Sequence, residues 1–360
     1  MKRKLGFVIF LLLLGVAALP LYYWSANSTV PQVTILVWSK LYGGQGLSRE
    51  DAPLPSHCRV TFDKAELNDS QALVFHVPGQ DIDFGDLPTL RRPDQLWTFF
   101  SIEPAAYHPA EADYPILRRM LFNRTMSYRL DSDYPSPYGV LRPLSLSRTE
   151  RVLMKSYLSA TIARKSALVV WMVSNCHTMS NREDVVRQLR QYLTIDIYGH
   201  CGSLSCLKEG SEEPCYKLLG KKYKFYLSFE NSLCDHYVSE KFTNALKHNM
   251  VPIVFGGANY SELLPYPESF IDVRRFRSAK ELADFILALD RNQTAYERYF
   301  DWRYHYQAIA RVGYHGFLQL CKALVNGDQR RTFWYKDIEK WWLHDARCGS
   351  ETLLGNATWL

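Results

Sequence analysis

The segment Tyr223–Lys241, YKFYLSFENSLCDHYVSEK, carries the most information in this 360-residue chain. Phe225, Leu227 and Phe229 recur at every second position, the period of a strand with a buried face, and the run stops at Glu230-Asn231. A short polar loop follows, and the pattern predicts a helix opening at Tyr237-Val238-Ser239-Glu240-Lys241. Ser239 is the expected N-cap, with Glu240 and Lys241 in the first turn. A helix start presents unpaired backbone N–H groups and partial positive charge, which suits a phosphate. A lysine there, with carboxylates on both sides, points to a pocket for a sugar nucleotide. On spacing alone an ordinary capped strand–loop–helix is the better reading, so the surrounding chain has to decide.

Working outward, the second half alternates strands and helices. Ala167–Val173, Ile195–Tyr198, Val251–Phe255 and Phe270–Val273 are apolar runs of strand length, and Val185, Val186, Leu189, Tyr192 and Leu193 form one helical face. Ser278 with Glu281 is a capping box opening another helix. Such alternation implies a parallel sheet with helices on both faces, and ligands of such sheets bind at the carboxyl ends of the strands. In the first half, Val33–Trp38, Ala72–Val77 and Leu96–Ile102 read as strands, whereas Ala105–Pro115 reads as a loop. Between Leu144 and Lys165 the pattern turns polar and helical, which places a boundary there.

Composition narrows the class. A hydrophobic content of 47% and an aromatic content of 14% belong to a packed globular chain. Lys+Arg of 43 against Asp+Glu of 37 gives a net charge of +6 with no basic block, which argues against nucleic acid as a partner. Leu5–Trp24 is free of charge and long enough, at about 30 Å as a helix, to cross a bilayer. Lys2, Arg3 and Lys4 precede it and Tyr22, Tyr23 and Trp24 end it, so an uncleaved signal anchor with a cytosolic N-terminus is expected over a cleaved signal peptide. A lumenal body agrees with the sequons at Asn27, Asn68, Asn123, Asn259, Asn292 and Asn356. It also agrees with eight cysteines, read as disulfides; a zinc site at Cys201, Cys206, Cys215 and His200 lacks paired CxxC spacing.

Four stretches, in order, resemble the α1,3-fucosyltransferases of glycosyltransferase family 10, in the manner of an invertebrate member. The opening segment is similar to the family's donor motif, with Ser239 in place of Thr and His236 before Tyr237. Trp171-Met172-Val173-Ser174-Asn175-Cys176 with Arg182 resembles its VSN loop and the arginine beyond. Phe122–Arg129 leading to Asp131-Ser132-Asp133 and Pro137-Tyr138-Gly139 resembles another run, and Val251–Val254 with Gly256-Gly257-Ala258-Asn259-Tyr260 and Pro265–Phe270 the last. The likeness extends from about residue 95 to 345.

The resemblance implies an α/β GT-B glycosyltransferase fold, two Rossmann-like domains facing across a cleft, behind an N-terminal transmembrane helix. Along the chain it implies a cytosolic tail (1–4), signal anchor (5–24), short stem (25–32), acceptor-binding domain (33–150), linker (151–165), GDP-fucose-binding domain (166–345) and tail (346–360). The reaction implied is an inverting transfer of L-fucose from GDP-fucose to the 3-hydroxyl of GlcNAc, in an antenna or the core of a glycan. Glu103, in Ser101-Ile102-Glu103-Pro104, lines up with the family's general base. Arg182 would clamp the diphosphate and Lys241 would hold phosphate at the helix start. Glu240 would accept hydrogen bonds from ribose or fucose hydroxyls, while Asn231 and Tyr237 would frame the guanosine. Tyr237 reads equally well as plain core packing. Ser174, Asn175, Glu230 and Ser239 would support the donor site, although Glu230 also reads as a structural acceptor of loop amides.

Further expectations follow from the same likeness. Asp131 and Asp133 resemble a metal pair but lie in the acceptor half, so a structural loop role is favoured, no metal is obligatory, and stimulation by Mn²⁺ is left open. The late cysteines imply a Cys321–Cys348 bridge. Asn27, Asn68, Asn123, Asn292 and Asn356 are candidate glycosylation sites, whereas Asn259 lies in the donor-side loop and is expected bare. The partners implied are GDP-fucose, a glycoprotein or glycolipid glycan and the Golgi membrane, with the protein a single-pass type II enzyme. The rival of another class is an inactive, anchored glycan- or nucleotide-binding protein; retention of Glu103, Arg182, Glu240 and Lys241 together argues against it.

Overall fold

The computed structural model describes residues 30–41, 54–77, 86–108, 117, 121–206, 212–310, 315–328 and 333–349. The expected anchor 5–24 and the candidate sites Asn27 and Asn356 lie outside the described residues. Among the described residues no helix is long and apolar enough to cross a membrane.

Strands β1 (Val33–Val37), β2 (Cys58–Thr61), β3 (Ala72–His76), β4 (Leu96–Ser101) and β5 (Arg124–Ser127) form a parallel sheet in the order β2-β1-β3-β4-β5. Every residue of β3 and β4 is buried, as expected where both faces of a parallel sheet are covered. Strand β6 (Gly139–Pro143) leaves this sheet, and helix α1 (Arg148–Ala163) begins in a capping box of Ser147 and Glu150. The second sheet holds β7 (Ala167–Met172), β8 (Ile195–Tyr198), β9 (Tyr223–Phe229), β10 (Val251–Phe255) and β11 (Ile271–Asp272), in the order β11-β10-β9-β7-β8. Helices α2 (Arg182–Leu189), α3 (Glu213–Lys222), α4 (Glu240–Lys247) and α5 (Ala279–Arg291) alternate with these strands. Strand β12 (Tyr306–Ala310) then pairs antiparallel with β6, and helix α6 (His315–Val325) follows.

Two boundaries differ from the sequence reading. Residues 151–165, expected as a linker, lie largely in α1, whose Leu158 and Ile162 join Val169, Trp171 and Val186 in the core of the second sheet. Residues expected to end the donor domain instead return to the first sheet. Phe317, Leu320 and Leu324 of α6 pack with Val33, Ile35, Val74 and Phe100 on one face. Trp342 packs on the other, its ring 5.0 Å from Phe99 and 5.5 Å from Tyr128. The first sheet needs apolar cover on both faces, and the end of the chain supplies it.

The same geometry corrects the expected Cys321–Cys348 bridge. Cys321 lies in the cluster on one face of the first sheet and Cys348 packs against the cluster on the other, so no bond can join them. The disulfides are Cys58–Cys321, Cys176–Cys201, Cys206–Cys215 and Cys234–Cys348. Asn123 is also corrected as a glycan site: it is buried, and its Oδ1 accepts the Trp97 N–H at 2.8 Å. Asn68 and Asn292 are exposed. Asn259 is exposed too, with Nδ2 donating to Glu262 Oε1 at 2.8 Å.

Non-reducing peptide mapping is expected to recover Cys58–Cys321 and Cys234–Cys348 and no Cys321–Cys348 peptide. Replacing Cys58 and Cys321 together by Ser should cost about 2–5 kcal/mol of stability by denaturant titration.

Candidate active site

The carboxyl ends of the second sheet carry the loops singled out by sequence. After β9, Glu230 is fully buried and the chain turns through Asn231–Tyr237 before α4 begins. Ser239 holds the N-cap position, but its hydroxyl makes no cap bond; its Oγ instead accepts Lys241 Nζ at 2.9 Å. Glu230 takes up the cap role, its Oε1 accepting the Ser239 N–H at 2.8 Å. Gly256 and Gly257 pass directly beneath this loop. A Cβ at Gly257 would lie 2.6 Å from the Cys234 carbonyl oxygen, so only glycine fits.

Lys241 is the electrostatic centre. Its ammonium lies 3.0 Å from Glu240 Oε1 and 4.0 Å from Glu230 Oε2. Burial alone would pull its pKa down, but the Glu240 and Glu230 carboxylates outweigh that and hold it above the ordinary lysine value. Burial pushes Glu230 up despite Lys241. Glu240 is pulled below its usual value: burial works against ionisation, and the Lys241 charge and hydrogen bond overcome it.

Arg182 opens α2 and is 2% exposed. Nη1 donates to Phe229 O at 2.7 Å and Nη2 to Asn175 O at 3.0 Å, while Nε reaches Glu183 at 3.4 Å. The guanidinium also sits over the Trp171 ring, 5.6 Å from its centroid. Arg182 therefore ties β9 to the Ser174-Asn175 loop, and among the described residues it keeps unpaired N–H groups beyond those three bonds. Ser174 and Asn175 are exposed on that loop, which Cys176–Cys201 staples to the turn after β8. Asn231 presents a buried Oδ1 with no partner among the described residues, a ready acceptor for a ligand donor.

Tyr237 departs from the guanosine-framing expectation. It is 2% exposed, and its ring meets Tyr128 edge-on at 5.0 Å and Tyr138 at 6.2 Å. It is core packing, and the core is that of the first sheet. The donor-side loop thus inserts into the other half and is held there. Cys234 bonds Cys348, the Asp235 N–H donates to Ala346 O at 2.8 Å, and Arg347 pairs with Asp235.

From the first half, Glu103 follows β4 and is half-buried. Among the described residues its carboxylate has no hydrogen-bond partner. Burial raises its pKa, Lys241 lowers it and Glu240 raises it, so it responds to charges on the opposite wall. Tyr107 joins it: its hydroxyl accepts Asn175 Nδ2 at 3.0 Å. Sequence reading misses Tyr107, since a single tyrosine in a Pro- and Ala-rich loop carries no periodic signal. Asp131 and Asp133 lie apart from this group. Asp131 accepts Arg129 at 2.7 and 2.9 Å and Trp341 Nε1 at 3.1 Å, while Asp133 accepts Thr125 N–H at 2.8 Å and the Tyr335 hydroxyl at 2.8 Å. Both are structural acceptors.

A half-buried carboxylate with no hydrogen-bond partner among the described residues therefore lies within electrostatic reach of the half-buried Lys241 from the other half. The turn that carries it meets, through Tyr107 and Asn175, the loop held by the buried Arg182. That arrangement can remove a proton on one wall and stabilise a departing anion on the other. Glu230→Ala is expected to cost about 2–4 kcal/mol, because it strips the Ser239 cap and one partner of the half-buried Lys241 charge. Glu230→Gln keeps an acceptor for Ser239 and should recover part of that loss. Chemical denaturation decides, and a Glu230→Ala protein of unchanged stability would refute the role.

Comparison with known proteins agrees with this geometry. Residues 30–139 match the family model "Fucosyltransferase, N-terminal" and residues 162–341 match "Glycosyltransferase family 10 (fucosyltransferase) C-term". The chain is 34% identical over 353 residues to alpha-(1,3)-fucosyltransferase C of Drosophila melanogaster, covering 89% of this chain and 80% of that protein. It is 33% identical to alpha-(1,3)-fucosyltransferase fut-1 of Caenorhabditis elegans, over 74% of this chain and 60% of that one. For human alpha-(1,3)-fucosyltransferase 4 the figures are 32%, 87% and 65%. Two crystal structures of α1,3-fucosyltransferase, one with GDP, share the fold at TM-scores of 0.50 and 0.52. Each is 16% identical, and they match 84% and 86% of this chain and 92% and 94% of their own. The fold is of the GT-B type, and the chain belongs to glycosyltransferase family 10, the fucosyltransferases.

Proposed function

We propose that the protein transfers L-fucose from GDP-fucose to the 3-hydroxyl of a GlcNAc residue in a glycan, with inversion at the anomeric carbon. The observation that carries this reading is the Glu103 carboxylate, which has no hydrogen-bond partner among the described residues and stands within electrostatic reach of Lys241 and Glu240 on the donor side. Glu103 takes the proton of the acceptor hydroxyl as that oxygen attacks fucose C1. The C1–O bond to the diphosphate breaks, its electron pair leaves with GDP, and Lys241 and Arg182 offset the charge that develops there. Before the donor binds, Lys241 is held by Glu240, so Glu240 is free to turn to a sugar hydroxyl once phosphate claims the ammonium. Membership of the family and the relatives' names support the reaction; antennal and core GlcNAc are both compatible acceptors.

The body is assigned to the Golgi lumen as a type II protein. Support comes from the apolar run 5–24 behind Lys2, Arg3 and Lys4, and from four disulfides, which form in oxidising compartments.

Glu103→Gln is expected to lower kcat by about 10²–10⁴-fold while GDP affinity stays within twofold. A base must be ionised to act, and burial raises the Glu103 pKa. Activity should therefore fall with decreasing pH along a limb centred above the ordinary carboxylate range, and Glu103→Gln should abolish that limb. Full transfer by the variant would remove the base assignment. Incubating residues 25–360 with GDP-fucose and defined glycans, followed by linkage analysis, identifies the acceptor. Absence of α1,3-linked product from every GlcNAc acceptor would overturn the reaction.

A further inference from the structure

The turn that carries Glu103 continues as Pro104-Ala105-Ala106-Tyr107, and it is rigid. The Tyr107 N–H donates to Pro104 O at 3.0 Å and the His108 N–H to Ala105 O at 2.9 Å. His108, almost fully buried, fixes the far end of the turn with Nε2 2.6 Å from Val77 O. Ala105 N lies 3.4 Å from the buried Tyr128 hydroxyl. From this anchored turn Tyr107 projects outward, 38% exposed, and reaches the second half.

Its contact there is equally well fixed. Asn175 donates Nδ2 to the Tyr107 hydroxyl at 3.0 Å, while its carbonyl accepts Arg182 Nη2 at 3.0 Å. Its own Oδ1 takes the His177 N–H at 3.4 Å, and the neighbouring Cys176 is bonded to Cys201. Two stiff pieces of chain thus meet through one phenol. One piece bears Glu103, and the other is tied to Arg182. An exposed tyrosine is ordinarily free to change rotamer; this one ends on a defined partner. The phenol stands among the reacting charges. Burial and Glu103 raise its pKa, while Arg182, the Asn175 bond and Lys241 oppose them, and the net shift is upward. Because its oxygen accepts from Asn175, its O–H proton is not used in that bond.

We propose that Tyr107 is a positioning residue, whose bond to Asn175 sets the separation between the Glu103 carboxylate and the donor wall of the cleft. The role rests on the fucosyl-transfer reading above. The contact joins the Glu103 turn to the Asn175 loop, so its loss lets that turn shift against the donor wall without removing any group that holds the nucleotide. Displacing a reacting group by about 1 Å can cost roughly 100-fold in rate. The loss should therefore fall on kcat and spare GDP binding.

Full-length protein carrying Tyr107→Phe is expected to transfer fucose with kcat reduced about tenfold or more, with GDP affinity within twofold of wild type. The retained affinity shows that the variant is folded. Asn175→Ala should lower kcat by a similar factor. The double variant should be no slower than the slower single variant, since both remove one bond. A Tyr107→Phe kcat within twofold of wild type would overturn the proposal, as would effects that multiply in the double variant. Glu103→Gln run in parallel separates the two readings. Loss with Glu103→Gln and none with Tyr107→Phe defeats only the positioning role, whereas full transfer by Glu103→Gln defeats the reaction geometry beneath it.

Discussion

The 2.8 Å hydrogen bond from the Ser239 N–H to Glu230 Oε1 closes the loop on which the site is built. A carboxylate at the buried end of a central strand is costly unless its oxygens are satisfied. Glu230 meets that requirement at Oε1 with a backbone amide nine residues ahead, whereas Oε2 has no hydrogen-bond partner among the described residues and only the Lys241 ammonium 4.0 Å away. The bond fixes where α4 begins, and so where Glu240 and Lys241 sit. It also obliges the intervening residues to bulge away from the second sheet. They do so into the first half, where Cys234 and Tyr237 become members of its core. One internal acceptor thus sets the donor wall and joins the halves.

The two cations of the site show a related economy. Arg182 is buried and Lys241 half-buried, and both are engaged before any ligand arrives. Arg182 spends hydrogen bonds on two carbonyls that no anion would displace, so its position is independent of substrate. Lys241 is held by Ser239 and Glu240, side chains able to exchange partners. One cation is scaffold as well as charge, and the other is adjustable.

Much of the second sheet is legible in the sequence because its strands are short, mostly apolar stretches between polar loops and helices. Tyr223–Phe229 and Val251–Phe255 coincide with their expected spans. Strand β2 escapes notice because half of its four residues are polar and it lies at an edge. The return of α6 and Trp342 to the first sheet cannot be read locally, for it depends on contacts more than 200 residues apart. The same distance misleads the cysteine pairing, since Cys321 and Cys348 are neighbours only along the chain. Within the site, Glu103, Arg182 and Lys241 stand out through motif and charge. Tyr237 carries one set of residue types and two meanings, and packing chooses between them. Glu230, the least specific member by sequence, takes the structural one of its two readings, as an acceptor of the Ser239 amide.

The return of the chain end also bears on biosynthesis. The first sheet is completed by α6 and by Trp342, and Cys58 finds its partner 263 residues later. A nascent chain emerging from the ribosome can assemble the second sheet while the first still exposes an uncovered apolar face. The half that is translated first is therefore the half that matures last. Until α6 and Trp342 emerge, that bare surface is a natural client for chaperones, and an unpaired Cys58 is open to mispairing with cysteines made before its own partner.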